Sequence, residues 1–224
     1  AAKKDKPPPG ILVNDVHSQL NSTRVWRIVQ PDTLEGVRSA IRAAQKEQKQ
    51  VCLSGARHAM GGQQFLADGL IIDTRRLSKV LAFDAEKGHI EVEAGMQWPQ
   101  LLQALTSSQK GREQQWTFAQ KQTGADKLTI GGCLAANIHG RGLKMPPFIG
   151  AVESFKLLTA KGDVVECSRT DNSELFRLAI GGYGLFGMIT SATLRLVERR
   201  KVERVVEVRS IDGLPKAFAE RIRD

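Results

Sequence analysis

The stretch Val51-Cys52-Leu53-Ser54-Gly55-Ala56-Arg57-His58-Ala59-Met60-Gly61-Gly62-Gln63-Gln64 sets the reading of this chain. An apolar, β-type run from Val51 to Leu53 empties into a turn of small residues, with Arg57 and His58 in its middle. Small residues at this density let backbone N–H groups approach a ligand closely, and successive N–H groups in such turns form concavities that favour anions. Two readings stand at this point: a cradle for a phosphate-bearing cofactor, or a tight surface turn carrying a solvated histidine.

Upstream of the turn, residues 25–29 have strand composition and end at Pro31. Asp32 followed by Glu35 has the spacing of a capping box. Leu34, Val37, Ala40, Ile41 and Ala44 recur at helical period, which predicts an amphipathic helix from Thr33 to about Gln48. Downstream, Leu70-Ile71-Ile72-Asp73 is a short buried-strand run, and residues 80–83 and 89–93 flank Glu86-Lys87-Gly88 as a β-hairpin. Trp98-Pro99 opens a helix with proline in its first turn, carrying Trp98, Leu101, Leu102 and Leu105 on one face. Residues 106–122 are polar and read as a loop.

The chain has 224 residues, 41% hydrophobic and 25% charged, the composition of a globular protein able to bury a core. No apolar run approaches the ~18 residues of a membrane-spanning helix. The formal charge of +9 raises acidic partners, but the basic residues are scattered and aromatics are only 5%, which argues against nucleic acid. Cys52, Cys133 and Cys167 each lie within or beside apolar segments with no C-x-x-C, so they read as buried small hydrophobes and supply no metal or redox motif. The opening A-A-K-K-D-K-P-P-P-G is charged and proline-rich and reads as an arm. A start at Ala1 fits either a chain matured by signal cleavage or a piece of a longer chain, and leaves a cytoplasmic or a periplasmic setting open.

A second small-residue stretch runs from Thr123-Gly124-Ala125 through Thr129-Ile130-Gly131-Gly132 to Asn137-Ile138-His139-Gly140-Arg141-Gly142. It predicts a loop, one short helical turn and another loop, the helix presenting its N–H groups to whatever lies before it. Close backbone packing with His139 as a core group is the competing account. Beyond it, residues 152–158 and 164–167 pair around the turn Ala160-Lys161-Gly162-Asp163. Asp171 and Glu174 suggest a further capping box, opening a short helix through Leu175, Phe176, Leu178 and Ala179. Gly182, Gly184 and Gly187 make a formal G-x-G-x-x-G. The dinucleotide fingerprint requires a strand before those glycines and a helix after them, whereas here a helix precedes and the alternating run 188–197 follows. Residues 202–208 alternate like another strand, and 214–222 begin a helix.

Together these three blocks resemble the FAD-binding domain of the vanillyl-alcohol oxidase and para-cresol methylhydroxylase superfamily. The nearer likeness is to its sugar-lactone oxidase, alditol oxidase and decaprenylphosphoryl-ribose oxidase branch. The family's S-G-x-x-H-S-x-x-G turn is matched by Ser54-Gly55-Ala56-Arg57-His58-Ala59-Met60-Gly61-Gly62, with Ala59 in place of serine. Its T-x-G-G and N-x-H-G are Thr129-Ile130-Gly131-Gly132 and Asn137-Ile138-His139-Gly140. Its E-L-F and G-G-x-G-x-x-G blocks are Glu174-Leu175-Phe176 and residues 181–187, followed by Met188-Ile189.

The resemblance implies an α+β fold of two α/β subdomains of the para-cresol methylhydroxylase type, at about residues 21–75 and 76–200. These would follow an arm over 1–20, and 201–224 would open a following, truncated domain. It implies FAD as cofactor, held by Ser54, Gly55, Ala56, Arg57, His58, Ala59, Gly62, Gly124, Thr129, Gly131, Gly132, Asn137, His139 and Gly140, with the backbone at Ile189 near the adenine. His58 stands where many members bond the flavin covalently. The activity implied is oxidation of an alcohol or sugar-type C–H, with electrons passing to oxygen or another acceptor. A small-molecule substrate would meet a cap domain, or a partner subunit, that a chain of this length does not hold. No catalytic base is assigned, although Arg141 and Lys144 carry charge that suits an anionic substrate. Two other expectations remain: an FAD-dependent reductase like the enolpyruvyl-glucosamine reductases, and a cofactor-free binding module of the same fold.

Overall fold

All four residues of the strand Leu70–Asp73 are buried, and the chain is built outward from it. The computed structural model describes residues 10–122 and 124–223. Leu70–Asp73 is the middle of a three-stranded parallel sheet, between Arg27–Val29 and Val51–Ser54. A central parallel strand must be covered on both faces, because both of its alternating side-chain sets leave water. Leu70 and Ile72 pack with Val37 and Ala44 of the helix Leu34–Lys46, whereas Ile71 packs with Val13 and Val25 on the opposite face.

The second layer is a five-stranded antiparallel sheet. Its order is Val164–Ser168, Val152–Leu158, Met188–Arg195, His89–Glu93, Val80–Asp84. One face carries Phe155, Leu157, Ile90, Val92 and Ala192 against the helices Trp98–Ser108, Ile130–Ala135 and Ser173–Ala179. Leu158 and Met188 instead join the cluster beneath Leu34–Lys46, so the two layers share a core. They also touch through backbone: a Cβ on Gly95 would overlap the carbonyl oxygen of Thr74 and lie 2.6 Å from that of Leu77. The strands expected at residues 51–53, 70–73, 152–158 and 164–167, the hairpin at residues 80–93 and the helix–glycine–strand order around residues 173–195 are present.

Several local expectations are corrected. The helix Leu34–Lys46 is capped by Thr33, whose side chain accepts from the Gly36 N–H, and not by Asp32, which pairs with Arg76 at 3.0 Å. Residues 25–29 form two short strands, Thr23–Val25 and Arg27–Val29, because the chain changes partners at Trp26 from Ile11–Val13 to Leu70–Asp73. Of the arm expected over 1–20, residues 1–9 lie outside those described, while Ile11–Val13 is a strand. Leu102 is exposed, unlike the buried Trp98, Leu101 and Leu105. Residues 106–122 are not all loop: the helix continues to Ser108, and Trp116–Thr117 pairs with Val197–Glu198.

The helix Ser173–Ala179 starts at Asn172 in the left-handed conformation with no side-chain cap, and the Asp171 carboxylate bonds Ser168 and Thr170 instead. Residues 202–208 form no strand. Among the described residues no neighbouring strand pairs with them, so their alternation buries nothing, and Val202 and Val208 stand open to solvent. No helix among the described residues is long and apolar enough to cross a membrane.

The cap assignment separates two variants. Thr33→Ala should cost about 1 kcal/mol in urea denaturation, the usual effect of losing an N-cap hydroxyl. Asp32→Ala, which loses only an exposed ion pair, should stay within about 0.5 kcal/mol.

Candidate functional site

Strand Val51–Ser54 ends at the boundary between the two layers, and the chain turns there into residues 55–62. Ser54 is buried, its carbonyl accepting from the Thr74 hydroxyl at 3.4 Å. Gly55 follows because no larger residue fits: a Cβ there would overlap Thr129 Oγ1, which belongs to the second layer. Arg57 adopts φ +60°, a left-handed conformation that costs a non-glycine residue roughly 1 kcal/mol or more and that concentrates at functional sites. Among the described residues no protein acceptor meets the backbone N–H groups of Gly55, Ala56, Arg57, His58 and Ala59. Five consecutive unspent donors on a small-residue turn are what an anionic group requires.

The helix Ile130–Ala135 behaves differently from expectation. Its first N–H groups are already used: Ile130 donates to Met96 O at 2.8 Å and Gly131 to Ala94 O at 2.7 Å. Gly132 donates to Thr129 Oγ1 at 3.2 Å. The end of the hairpin caps the helix, so it offers a ligand its close-packed flank and not its donors. A Cβ on Gly131 would lie 2.9 Å from that of Ala94, so glycine is required there too. The loop 181–187 completes the wall. It docks on the end of the same helix through Gly181 N–H to Leu134 O and Tyr183 N–H to Ala135 O, at 2.9 and 3.0 Å. Tyr183 has φ +51°, and Gly184 and Gly187 also take positive φ.

These three segments enclose a cavity of about 500 Å³, within the range of cofactor pockets. Of the residues expected from sequence, Ser54, Gly55, Ala56, Arg57, His58, Ala59, Thr129, Gly131, Gly132 and Ile189 line it. Gly62, Gly124, Asn137, His139 and Gly140 lie off its wall. Gly62 packs near Asn21, and Gly124 faces open space. The Asn137 carboxamide accepts from Ile149 N–H at 3.0 Å, the Gly140 N–H donates to Gln120 at 3.1 Å, and His139 is exposed beside the Gly140 carbonyl. Arg141 and Lys144, the other charged candidates, are exposed.

Sequence reasoning passed over His17, Gln64, Thr74, Gln122 and Tyr183, all on the cavity wall. Tyr183 lay inside a glycine block already singled out, so a signal existed. His17 gave none, since it sits in a polar stretch with no periodicity.

The electrostatics favour an anion with a neutral histidine beside it. Arg57 Nε and Gln64 Oε1 are buried with no hydrogen-bond partner among the described residues. Buried polar atoms are nearly always satisfied, so on the cavity wall the Arg57 donor suits an anionic group and the Gln64 oxygen suits a donor. Burial holds the His58 imidazole below its ordinary titration range, the charge of His17 lowers it further, and the Lys127 carbonyl partly offsets both. Asp73, buried at the end of its strand, keeps its carboxyl low despite burial, through hydrogen bonds from Arg75 and Gln30. That anchors the turn carrying Thr74 into the cavity wall.

A parallel and an antiparallel layer meeting at a small-residue cavity with unspent N–H donors define a binding domain for a phosphate-bearing cofactor. Residues 26–168 match the family model described as FAD binding domain. The chain belongs to that family of FAD-binding proteins, the vanillyl-alcohol oxidase and para-cresol methylhydroxylase group, and FAD is its cofactor.

L-galactono-1,4-lactone dehydrogenase 1 of Oryza sativa subsp. japonica is 30% identical over 212 residues, covering 92% of this chain and 35% of the relative. L-gulonolactone oxidase of Bos taurus is 31% identical over 169 residues, 75% of this chain and 36% of the relative. Among solved structures, alkyldihydroxyacetonephosphate synthase superposes with a TM-score of 0.66 at 22% identity, over 76% of this chain and 31% of that one. The chain spans about a third of the length of the curated relatives it matches.

The contact between Gly55 and Thr129 is directly testable. Gly55→Ala should destabilise the domain by about 1–3 kcal/mol, as overpacking does, and weaken FAD binding at least tenfold by forcing the loops apart. In a Thr129→Ala background the same substitution should cost less, with a coupling of about 0.5–3 kcal/mol in a double-mutant cycle of urea unfolding.

Proposed function

We propose that this chain is the FAD-binding part of an oxidoreductase that oxidises an alcohol or sugar-type C–H. When bound, FAD supplies the hydride acceptor at N5 and passes the electrons on to oxygen or another acceptor. The observation that carries this reading is the run of five unspent N–H groups at residues 55–59, on a wall where added side chains collide. These donors would hold the pyrophosphate, and the Arg57 guanidinium adds a positive charge beside it. The glycines at 131 and 132 give the cofactor a surface free of side chains. The backbone at Ile189, beside a β-bulge in Met188–Arg195, would meet the adenine.

His58 is the proposed covalent attachment point. A neutral imidazole suits that role: an unprotonated ring nitrogen could take the bond to a flavin carbon as that carbon loses a C–H hydrogen and the imidazole its N–H proton, the two electrons passing through the flavin to the acceptor. The depressed titration of His58 supports that state.

The names of the relatives support a sugar-lactone type of substrate, although a cytokinin dehydrogenase of Oryza sativa subsp. japonica matches as well, at 34% identity over 154 residues. The match covers only about a third of each relative's length. That supports a substrate, a small molecule, held partly by a cap domain or partner subunit over the cavity. The division into subdomains at about residues 21–75 and 76–200 belongs to the same reading. It is supported by the sheets: the three-stranded parallel sheet, with the antiparallel pair Ile11–Val13 and Thr23–Val25 before it, ends at Asp73, and the five-stranded antiparallel sheet begins at Val80.

Purified protein incubated with FAD and desalted should keep the visible absorption band of oxidised flavin. A colourless product would reject the reading. After acid precipitation the colour should stay in the pellet for the unaltered protein and move to the supernatant for His58→Ala. Colour in the supernatant for both would reject the covalent bond while leaving FAD binding intact.

A further inference from the structure

We propose that His17 belongs to the cofactor site as a positioning residue: it shares one hydrogen bond with His58 and thereby fixes the orientation and protonation of that ring. The inference rests on His58 facing FAD.

The Nε2 of His17 lies 2.8 Å from the Nδ1 of His58, with the rings tilted at 54° and both lining the cavity. Two imidazole nitrogens at that distance hold one proton between them. With none, two lone pairs face each other; with two, both nitrogens are donors. One of the two facing nitrogens is therefore bare, and a doubly charged pair is excluded while the contact persists. Charged and titratable groups facing His58 are His17 and Lys127, the latter through both its ammonium and its backbone carbonyl. On the His17 side, the Asp15 carboxylate accepts from the backbone N–H of His17.

The contact is built into the fold and is not a chance meeting of surface side chains. Asp15 is fully buried, and its carboxylate accepts from the backbone N–H groups of His17 at 2.9 Å and Ser18 at 2.6 Å. It also accepts from the Ser18 hydroxyl and the Asn21 amide, each at 2.8 Å. Those hydrogen bonds hold its carboxyl well below the usual carboxylate range although burial opposes ionisation. The loop so organised is strapped across the turn that carries His58. Val16 N–H donates to Arg57 O at 3.0 Å, and the Asn21 amide donates to Met60 O at 2.6 Å. Residues 15–21 thus brace 57–60 by backbone and side chain together, and the histidine pair is the tie at the cavity end.

Because the titration of His58 is depressed, the pair is intact above the ordinary histidine value of 6.5. Protonating one ring leaves the contact a donor and an acceptor, whereas protonating both as the pH falls leaves two facing donors and opens it. Burial, the charge of His17 and the charge of Lys127 all lower His58, and removing His17 lifts one of them, so its titration should rise.

The test uses protein labelled with ¹⁵N-histidine, whose ring nitrogens report tautomer and titration, together with the flavin-to-protein ratio after incubation with FAD and desalting. His17 is exposed and absent from the core clusters, so His17→Ala should fold, checked by circular dichroism and melting. The His58 midpoint should move up by at least half a unit in His17→Ala, and the flavin ratio should fall at least fivefold. His17→Gln keeps an N–H donor without the charge, and should restore most of the flavin ratio. An unchanged His58 midpoint in His17→Ala overturns the pairing. A shifted midpoint with an unchanged flavin ratio overturns its service to the cofactor. No flavin retained by the unaltered protein overturns the reading of His58, and the inference with it, whatever the midpoints show.

Discussion

The structure depends on one close approach: the backbone of Gly55 against the hydroxyl of Thr129. The first ends a strand of the parallel layer, and the second caps a helix of the antiparallel layer. No Cβ can stand between them, so the two layers meet at a seam where side chains are excluded and backbone is exposed. A similar exclusion recurs at Gly95 against Thr74 and at Gly131 against Ala94. The cavity is the continuation of that seam. Its walls are small because they grow out of a junction that tolerates nothing large.

Where the donors lie follows from the same junction. The hairpin end at residues 94–96 satisfies the start of the helix Ile130–Ala135, which locks the second layer together but spends its N–H groups. The turn after Ser54 has no comparable partner. Its N–H groups are left over because residues 55–59 leave the parallel sheet at an edge facing the cavity, and Arg57 adopts a left-handed backbone to make the turn. Burying that many donors without acceptors would cost several kcal/mol. The turn is stable only because the cavity stays open to water or is filled by an anionic cofactor. An anionic group would likewise satisfy Arg57 Nε, whereas Gln64 Oε1 calls for a donor.

The elements with strong periodicity were legible in the sequence. Leu34, Val37, Ala40, Ile41 and Ala44 made one helix, and Leu70–Asp73 read as a buried strand because both of its faces are covered. Local signals misled where a tertiary partner decided the outcome. Asp32 and Asp171 had capping spacing, but Arg76 claimed the first, and Ser168 and Thr170 the second. Residues 202–208 alternate correctly and still form no strand, since a strand needs a neighbour that periodicity cannot supply. At the site, the glycine blocks marked which segments converge. They did not show which of their residues face inward: Asn137 and His139 stand in a matching motif, yet Asn137 is spent on bracing Ile149.

His17 shows the limit of motif reading most clearly. It is 41 residues from His58 in sequence, in a stretch of mixed polar residues, and no spacing rule joins the two. What joins them is a buried carboxylate. Asp15 turns its own loop inward by collecting N–H and O–H donors, and that loop lies across the turn because Val16 and Asn21 find carbonyls there. A polar network of this kind leaves no hydrophobic signature, and each member is an ordinary loop residue. Yet it sets the surroundings of His58 on the cavity wall. The lowered titration of His58 therefore depends on His17 and Lys127, from two other segments, and not on the glycine-rich turn alone.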